Sequence, residues 1–208
     1  MRVFGIDPGS IRTGYGCVDT DGRRHRLVVC GAIRTGEGAF PDRLAVIYRQ
    51  LSTILLDCRP ECVAIESLFH AVNVRSALKL GHARGVAMLA AIEAGVPVVE
   101  YSPAEVKRAV VGYGRAEKSQ VQQMVKLLLG LDQAPEPYDA ADALAVAICH
   151  LHAATAQPRV RASRSQPRPA NFVESGVGKA VLDRREANPV GRRAGSPLPR
   201  TWRQYKPA

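Results

Sequence analysis

Four acidic residues occupy positions from which their carboxylates could act together. Asp7 and Glu66 each end a short apolar run, whereas Asp139 and Asp142 are three residues apart in a stretch rich in Ala, Leu and Val. On a helix, residues three apart share a face. Taken singly, each acid has an ordinary explanation: a turn, a strand end or a helix N-terminus. Taken together, four converging carboxylates would repel one another unless a cation lay between them.

The ligand types indicate which cation the four acids would hold. The sequence near them has no closely spaced His residues and no Cys-x-x-Cys pair, so zinc is not favoured. Carboxylate oxygens are the ligands that magnesium and manganese prefer. Two such ions a few ångströms apart suit phosphodiester hydrolysis, since one activates a water and the other stabilises the leaving oxygen.

The elements that must position these acids follow from hydrophobic periodicity and turn residues. Alternating or continuous apolar runs predict strands over residues 2–7, 14–20, 26–34, 62–66 and 97–101. Helical spacing predicts helices over residues 41–57, 73–94, 103–112, 118–129 and 138–153. The third of these helices begins with a capping box, Ser102-Pro103-Ala104-Glu105.

The order of these elements predicts an α/β fold with a mixed sheet. Short turns make the first three strands an antiparallel meander. The strand at 62–66 follows a helix, so a right-handed crossover places it parallel to strand 2–7. Asp7 and Glu66 would then lie side by side at one edge of the sheet, where open α/β sheets carry their sites.

The net charge of +10 belongs almost entirely to the C-terminal quarter of the chain. Residues 155–208 contain ten Arg and two Lys against three acids, and seven of the 14 prolines. We therefore expect a folded domain over residues 1–154 and a disordered basic tail over residues 155–208. The charge of the tail cannot support DNA binding by the folded domain, which needs local clusters of its own.

The remaining composition predicts a cytoplasmic location. No apolar run approaches the ~20 residues that span a bilayer, and Asp7 interrupts what would be the core of a signal peptide. The five cysteines are odd in number and follow no zinc pattern, so we expect free thiols in a reducing compartment.

Six stretches of the first 152 residues form a recognisable set: Gly5-Ile6-Asp7-Pro8-Gly9, Ala64-Ile65-Glu66, Ser76-Ala77-Leu78-Lys79-Leu80-Gly81, Ala83-Arg84-Gly85, Ala116-Glu117-Lys118-Ser119-Gln120-Val121 and Asp139-Ala140-Ala141-Asp142-Ala143-Leu144-Ala145. In this order they resemble the bacterial RuvC family of Holliday junction resolvases. The resemblance implies an RNase H-like fold, in which a five-stranded mixed sheet (three antiparallel strands, then two parallel) is flanked by helices.

The same resemblance implies the activity and its partners. A homodimer would nick two strands of like polarity symmetrically across a four-way DNA junction, in recombination and DNA repair. Its metal-binding and catalytic acids fall on Asp7, Glu66, Asp139 and Asp142, with two Mg²⁺ (or Mn²⁺) ions per subunit. The RuvA and RuvB branch-migration proteins would be partners. The helix at 73–94, rich in small residues, is the candidate dimer interface.

Candidate DNA contacts lie between the second and fourth acids. Lys107 and Lys118 match positions that the family uses against phosphate, and Phe69 matches an aromatic residue that stacks on a junction base. Any single basic residue here has a solvated surface as its ordinary explanation. The other candidates for phosphate contact are Arg75, Lys79, Arg84 and Arg115.

Three other functions remain open on the sequence. One is a different RNase H-like nuclease, of the type proposed to process pre-ribosomal RNA. A second is an actin-like ATPase, whose phosphate loop also reads Asp-x-Gly, as Asp7-Pro8-Gly9 does; roughly 150 residues are too few for its two lobes. The third is a junction-binding protein without catalysis, which would have no use for four acids.

Overall fold

The computed structural model describes residues 1–67 and 73–156, which form ten helices and strands. The strands are β1 Arg2–Asp7, β2 Arg12–Thr20, β3 His25–Arg34, β4 Cys62–Glu66 and β5 Val98–Tyr101. The helices are α1 Phe40–Cys58, α2 Val74–Glu93, α3 Pro103–Val111, α4 Lys118–Leu129 and α5 Tyr138–Ala156. The order and type of every predicted element are confirmed, and the largest boundary difference is at α5, which ends three residues later than predicted.

The five strands form one mixed sheet in the order β3-β2-β1-β4-β5. Strand β1 is antiparallel to β2, which is antiparallel to β3, whereas β4 is parallel to β1 and β5 is parallel to β4. The predicted meander and the predicted crossover are both confirmed. The C-terminal ends of β1 and β4 therefore lie side by side.

The sheet separates two hydrophobic cores, and the pleat decides which residue enters which. Phe4 and Ile6 of β1 pack in the core covered by α1 and α2, whereas Val3 packs in the core covered by α3, α4 and α5. Strand β4 follows the same alternation, with Val63 and Ile65 on the first side and Ala64 on the second. Successive side chains of a strand point to opposite faces.

Local capping fixes where the helices begin. The predicted capping box of α3 is present, with Ser102 and Glu105 each accepting the other's backbone N–H. A second box, from Glu117 and Gln120, starts α4, and the Asn73 side chain caps α2. These caps satisfy amide donors that the first turn of a helix leaves without a partner.

Two further expectations concern cysteines and membranes. All five cysteines are free, and four of them are buried as small apolar side chains. Within residues 1–67 and 73–156, no helix has both the length and the apolar character needed to span a bilayer.

Candidate metal centre and nucleic-acid interface

Asp7 and Glu66 reach the same face of the sheet because both continue the alternation of their strands. Asp7 has the parity of Val3 and Gly5, and Glu66 has the parity of Ala64, so both side chains project toward the layer of α3, α4 and α5. The pairing of Ile6 with Ile65 sets the two acids next to each other along the edge. The predicted juxtaposition of these two carboxylates is thus confirmed by the fold.

Glycines in β1 and β2 determine how closely α5 approaches this edge. A Cβ on Gly5 would lie 1.9 Å from the Ala143 carbonyl oxygen, and a Cβ on Gly14 would lie 1.9 Å from the Asp139 carbonyl oxygen. Gly14 is also the cross-strand partner of Asp7. Helix α5 therefore lies directly on the sheet backbone, and its first turns carry Asp139 and Asp142 to the end of β1.

A pocket of about 230 Å³ collects three of the four acids. Its lining residues are Asp7, Glu66, Pro103, Val106, Lys107, Lys118, Val121 and Asp142. Three carboxylates and two ammonium groups thus share a space with apolar walls contributed by α3 and α4. Charges interact more strongly in such a setting than they do in water.

The carboxyl group of Asp7 is strongly perturbed in this pocket. Burial is the largest cause and repulsion from Glu66 and Asp142 is the next; together they raise the pKa of Asp7 from 3.8 to about 8. Burial also raises the pKa of Glu66, and the hydrogen bond with Asp7 opposes that rise. In the absence of a cation, Asp7 therefore keeps its proton near neutral pH and donates it in a hydrogen bond to Glu66.

Lys118 supplies positive charge to the same group of acids. Its ammonium nitrogen lies 3.1 Å from Asp142 Oδ2, and the attraction of Asp142 raises the pKa of Lys118. The Lys118 side chain is 72% exposed, against 21% for Asp142. The lysine therefore reaches from solvent onto the acid and remains accessible to an anion outside the pocket.

Asp139 is placed differently from the other three acids. It does not line the pocket, and its Oδ2 lies 4.0 Å from a guanidinium nitrogen of Arg12. Across residues 1–67 and 73–156, no three acidic, His or Cys side chains lie close enough together to hold a metal ion as they stand. The expectation that all four carboxylates occupy one pocket is thus met for three of them in this structure.

The predicted DNA contacts fall into three groups. Lys107 and Lys118 line the pocket. Arg75, Lys79 and Arg115 are exposed. Arg84 is largely covered and forms an ion pair with Glu100 of β5, so its guanidinium already has a partner within the fold. Phe69 lies outside the described residues.

Arg12 lies beside the candidate site and was not predicted from the sequence. It is the first residue of β2, directly after the loop that follows Asp7. Its side chain is half exposed and faces Asp139. Its position between Pro8-Gly9 and Thr13-Gly14, next to a predicted metal ligand, was the available signal.

The fold and the pocket together define a class of protein. A five-stranded mixed sheet with carboxylates at the ends of its two central strands and on a covering helix is the arrangement of an RNase H-like nuclease. The chain matches the model of the family described as crossover junction endodeoxyribonuclease RuvC over residues 3–150. It belongs to the RuvC family.

Individual relatives agree with this assignment. The crossover junction endodeoxyribonuclease RuvC of Alkalilimnicola ehrlichii is 54% identical over 160 residues, which are 77% of this chain and 96% of the relative. The solved structure of Thermus thermophilus RuvC is 41% identical with a TM-score of 0.68, covering 74% of this chain and 95% of that one. The same protein in complex with a Holliday junction substrate gives 38% identity, a TM-score of 0.69 and the same coverage.

Proposed function

We propose that this protein resolves Holliday junctions in recombination and DNA repair, by two symmetric, divalent-metal-dependent nicks in strands of like polarity. The observation that carries the proposal is the pocket where Asp7, Glu66 and Asp142 converge, in a chain that belongs to the RuvC family. Hydrolysis of a phosphodiester needs groups that stabilise charge on both the attacking and the leaving oxygen. Three converging carboxylates are suited to holding the cations that do this.

The donor chemistry of the pocket suits Mg²⁺ or Mn²⁺, and we propose two ions per subunit. All the candidate ligands are carboxylate oxygens, and the pKa of Asp7 is raised first by burial and then by the negative charge of Glu66 and Asp142, which a cation would compensate. Asp7, Glu66 and Asp142 would hold the ions, with Asp139 joining from the preceding turn of α5. The chemistry that such ions supply is activation of water and stabilisation of the leaving oxygen.

Lys118 and Lys107 would bind the phosphate to be cut. Lys118 is mostly exposed while paired with Asp142, so it can turn to a phosphate oxygen when the acid engages a cation. Lys107 reaches the same pocket from α3. A substrate phosphate at the pocket would then be bound by these two ammonium groups, next to the carboxylates that would hold the ions.

A wider contact surface for the DNA arms is proposed around these lysines. Arg75, Lys79 and Arg115 are exposed and would neutralise backbone phosphates without reading sequence. Arg84 would also contact a backbone phosphate, while its guanidinium stays paired with Glu100. Phe69 would stack on an unpaired base at the branch point.

Helix α2 is the proposed interface of a homodimer. Gly81 and Gly85 have open space where a Cβ would stand, so packing within the chain does not require glycine at either position. They lie in an apolar groove with Leu78 and Leu89, whose side chains are 60% and 50% exposed. A second copy is the occupant we propose, because two symmetric cuts need two sites related by a two-fold axis.

The remaining assignments follow from composition and family. We propose a nuclease domain over residues 1–154 and a basic segment over residues 155–208 that adds non-specific attraction to phosphate; residues 157–208 lie outside the described residues. The RuvA and RuvB branch-migration proteins are the proposed partners, and the cytoplasm is the proposed location.

A synthetic four-way junction with Mg²⁺ tests the function. We expect paired nicks from the wild type and from Asp132→Asn, whose exposed loop carboxylate lies outside the pocket. Asp7→Asn should bind the junction without cutting it, and Ca²⁺ should allow binding without cleavage. Near-normal cleavage by Asp7→Asn would contradict the metal site. ATP hydrolysis, or cleavage of a pre-ribosomal RNA with the junction left intact, would support one of the other two enzymes.

A further inference from the structure

The loop between β1 and β2 presents a large apolar side chain beside the candidate metal centre. Ile11 is 67% exposed, although it stands only four residues after Asp7. Its neighbour Arg12 reaches the carboxylate of Asp139 at 4.0 Å. An isolated exposed aliphatic residue needs no explanation, so the case for a role depends on how this loop is built.

Three carbonyl groups of the loop are held by Thr13, at the start of β2, and by Thr35, which follows β3. The Thr13 hydroxyl donates to the Gly9 carbonyl at 2.8 Å. The Thr35 hydroxyl lies 3.3 Å from the Ser10 carbonyl and 3.2 Å from the Ile11 carbonyl, and the Thr35 amide donates to the Ile11 carbonyl at 3.1 Å. The loop is therefore held at three consecutive residues.

The groups that hold the loop are mostly withdrawn from water. Thr13 is fully buried and Thr35 is 8% exposed; together with Gln122 they are the buried polar side chains of the described residues. Arg43 of α1 adds hydrogen bonds to the Thr35 hydroxyl, at 3.1 Å, and to the Ser10 carbonyl. Burying a polar group costs free energy unless the group is hydrogen-bonded, and Thr13 and Thr35 form their hydrogen bonds with this loop.

The close packing within the loop also requires glycine at position 9. A Cβ on Gly9 would lie 1.9 Å from the Arg12 carbonyl oxygen, so the loop closes on itself too tightly for any other residue. A rigid loop that exposes an aliphatic side chain differs from a mobile loop that happens to contain one. Rigidity lowers the entropy lost when the side chain is buried against a ligand.

We infer that Ile11 is a specificity-determining contact, which packs against an unstacked base at the branch point of the DNA junction. The inference rests on the proposed function and extends it to a residue outside the acids and lysines. Apolar side chains bind nucleic acid where bases are unstacked, since a paired and stacked duplex offers few apolar faces. Arg12 beside it supplies the charge for the adjoining phosphate.

This role predicts a change that depends on DNA structure. With Ca²⁺ in place of Mg²⁺, Ile11→Ala should bind a four-way junction about tenfold more weakly than the wild type. Its affinity for a duplex of the same sequence should be unchanged. A 2-aminopurine placed at the branch point should show a smaller fluorescence change with Ile11→Ala, and Ile11→Leu should restore most of the wild-type signal.

Leu56→Ala is the matched control, because Leu56 is 66% exposed on α1 and lies outside the pocket. We expect it to bind and report like the wild type. Equal junction binding by Ile11→Ala, Leu56→Ala and wild type would overturn the inference, as would an equal loss on junction and duplex. If Asp7→Asn abolishes nicking while Ile11→Ala behaves as wild type, the inference fails and the proposed function stands. A wild type that neither binds nor nicks the junction overturns both.

Discussion

The metal-free protein should become more stable when Asp7 is replaced by Asn. The folded state raises the pKa of Asp7 from 3.8 to about 8, so ionising this group is easier in the unfolded chain than in the pocket. Asn has the same shape and no charge to bury, and its amide can donate to Glu66 as the protonated Asp7 does. The substitution removes the cost of ionising a buried carboxyl group and keeps the hydrogen bond with Glu66.

The size of the effect follows from the shift and from the pH. The difference between 3.8 and the working pH, multiplied by about 1.4 kcal/mol per pH unit, gives about 4 kcal/mol at pH 7 and nearly 6 kcal/mol above pH 8. Single substitutions rarely change stability by more than about 3 kcal/mol, so we expect roughly 1 to 3 kcal/mol at pH 7. The sign is fixed: wild-type stability falls relative to the variant as pH rises from about 4 to about 8, and the difference is constant above that.

Urea unfolding with EDTA present, at pH 5 and at pH 8, measures the prediction. Asp7→Asn should exceed the wild type by more at pH 8 than at pH 5, and Asp132→Asn should track the wild type at both. Adding Mg²⁺ should stabilise the wild type and leave Asp7→Asn nearly unaffected, because binding to the folded state alone raises stability. An Asp7→Asn variant no more stable than the wild type, or a difference that does not change with pH, would refute the reasoning.

Three further predictions use other parts of the chain. Gly5→Ala should lower the free energy of unfolding by about 2 to 3 kcal/mol, since the new Cβ meets the Ala143 carbonyl, whereas Gly38→Ala meets nothing within 4 Å and should be near neutral in the same urea titration. Leu89→Asp should convert the proposed homodimer to a monomer in sedimentation, and the two nicks should no longer occur together. A stable dimer would place the interface elsewhere. Ending the chain at Ala156 should keep nicking at low salt within about twofold and reduce the dependence of DNA binding on salt. Unchanged salt dependence would mean that the tail does not touch DNA.

The sheet and the placement of two acids were predictable because they depend on periods that sequence displays. Residues 2–7 and 62–66 are short apolar runs that each end in an acid, which predicts two buried strands, and the intervening helix sets the crossover that makes these strands parallel. Those two facts are enough to bring Asp7 and Glu66 together. The capping box at Ser102 was equally local, so it too could be predicted and is confirmed.

The differences from expectation depend on contacts between residues far apart in sequence. The 4.0 Å approach of Arg12 to Asp139 joins β2 to α5, and the ion pair of Arg84 with Glu100 joins α2 to β5. Hydrophobic periodicity does not predict which charged residues pair when they are far apart in sequence. Gly81 and Gly85 of α2 could not be placed from the sequence for a similar reason. Composition shows a helix rich in small residues but not which of these residues face the sheet.

The close packing of α5 on glycine predicts that the metal affinity depends on residues that bind no metal. Because the helix backbone contacts Gly14, the first turns of α5 lie close to the end of β1, where burial and the carboxylates of Glu66 and Asp142 raise the pKa of Asp7. A proton or a cation then compensates the charge. Gly14→Ala should push the first turn of α5 outward and weaken Mg²⁺ binding about tenfold, as loss of support behind metal ligands does. Gly16→Ala is the control: its Cβ would meet the Leu144 side chain, further along α5 from the acids. Calorimetric titration of both variants with Mg²⁺ should show the larger loss of affinity for Gly14→Ala even where urea unfolding shows equal losses of stability. Wild-type affinity in a destabilised Gly14→Ala protein would show that the acids find their positions without the helix being held against the sheet.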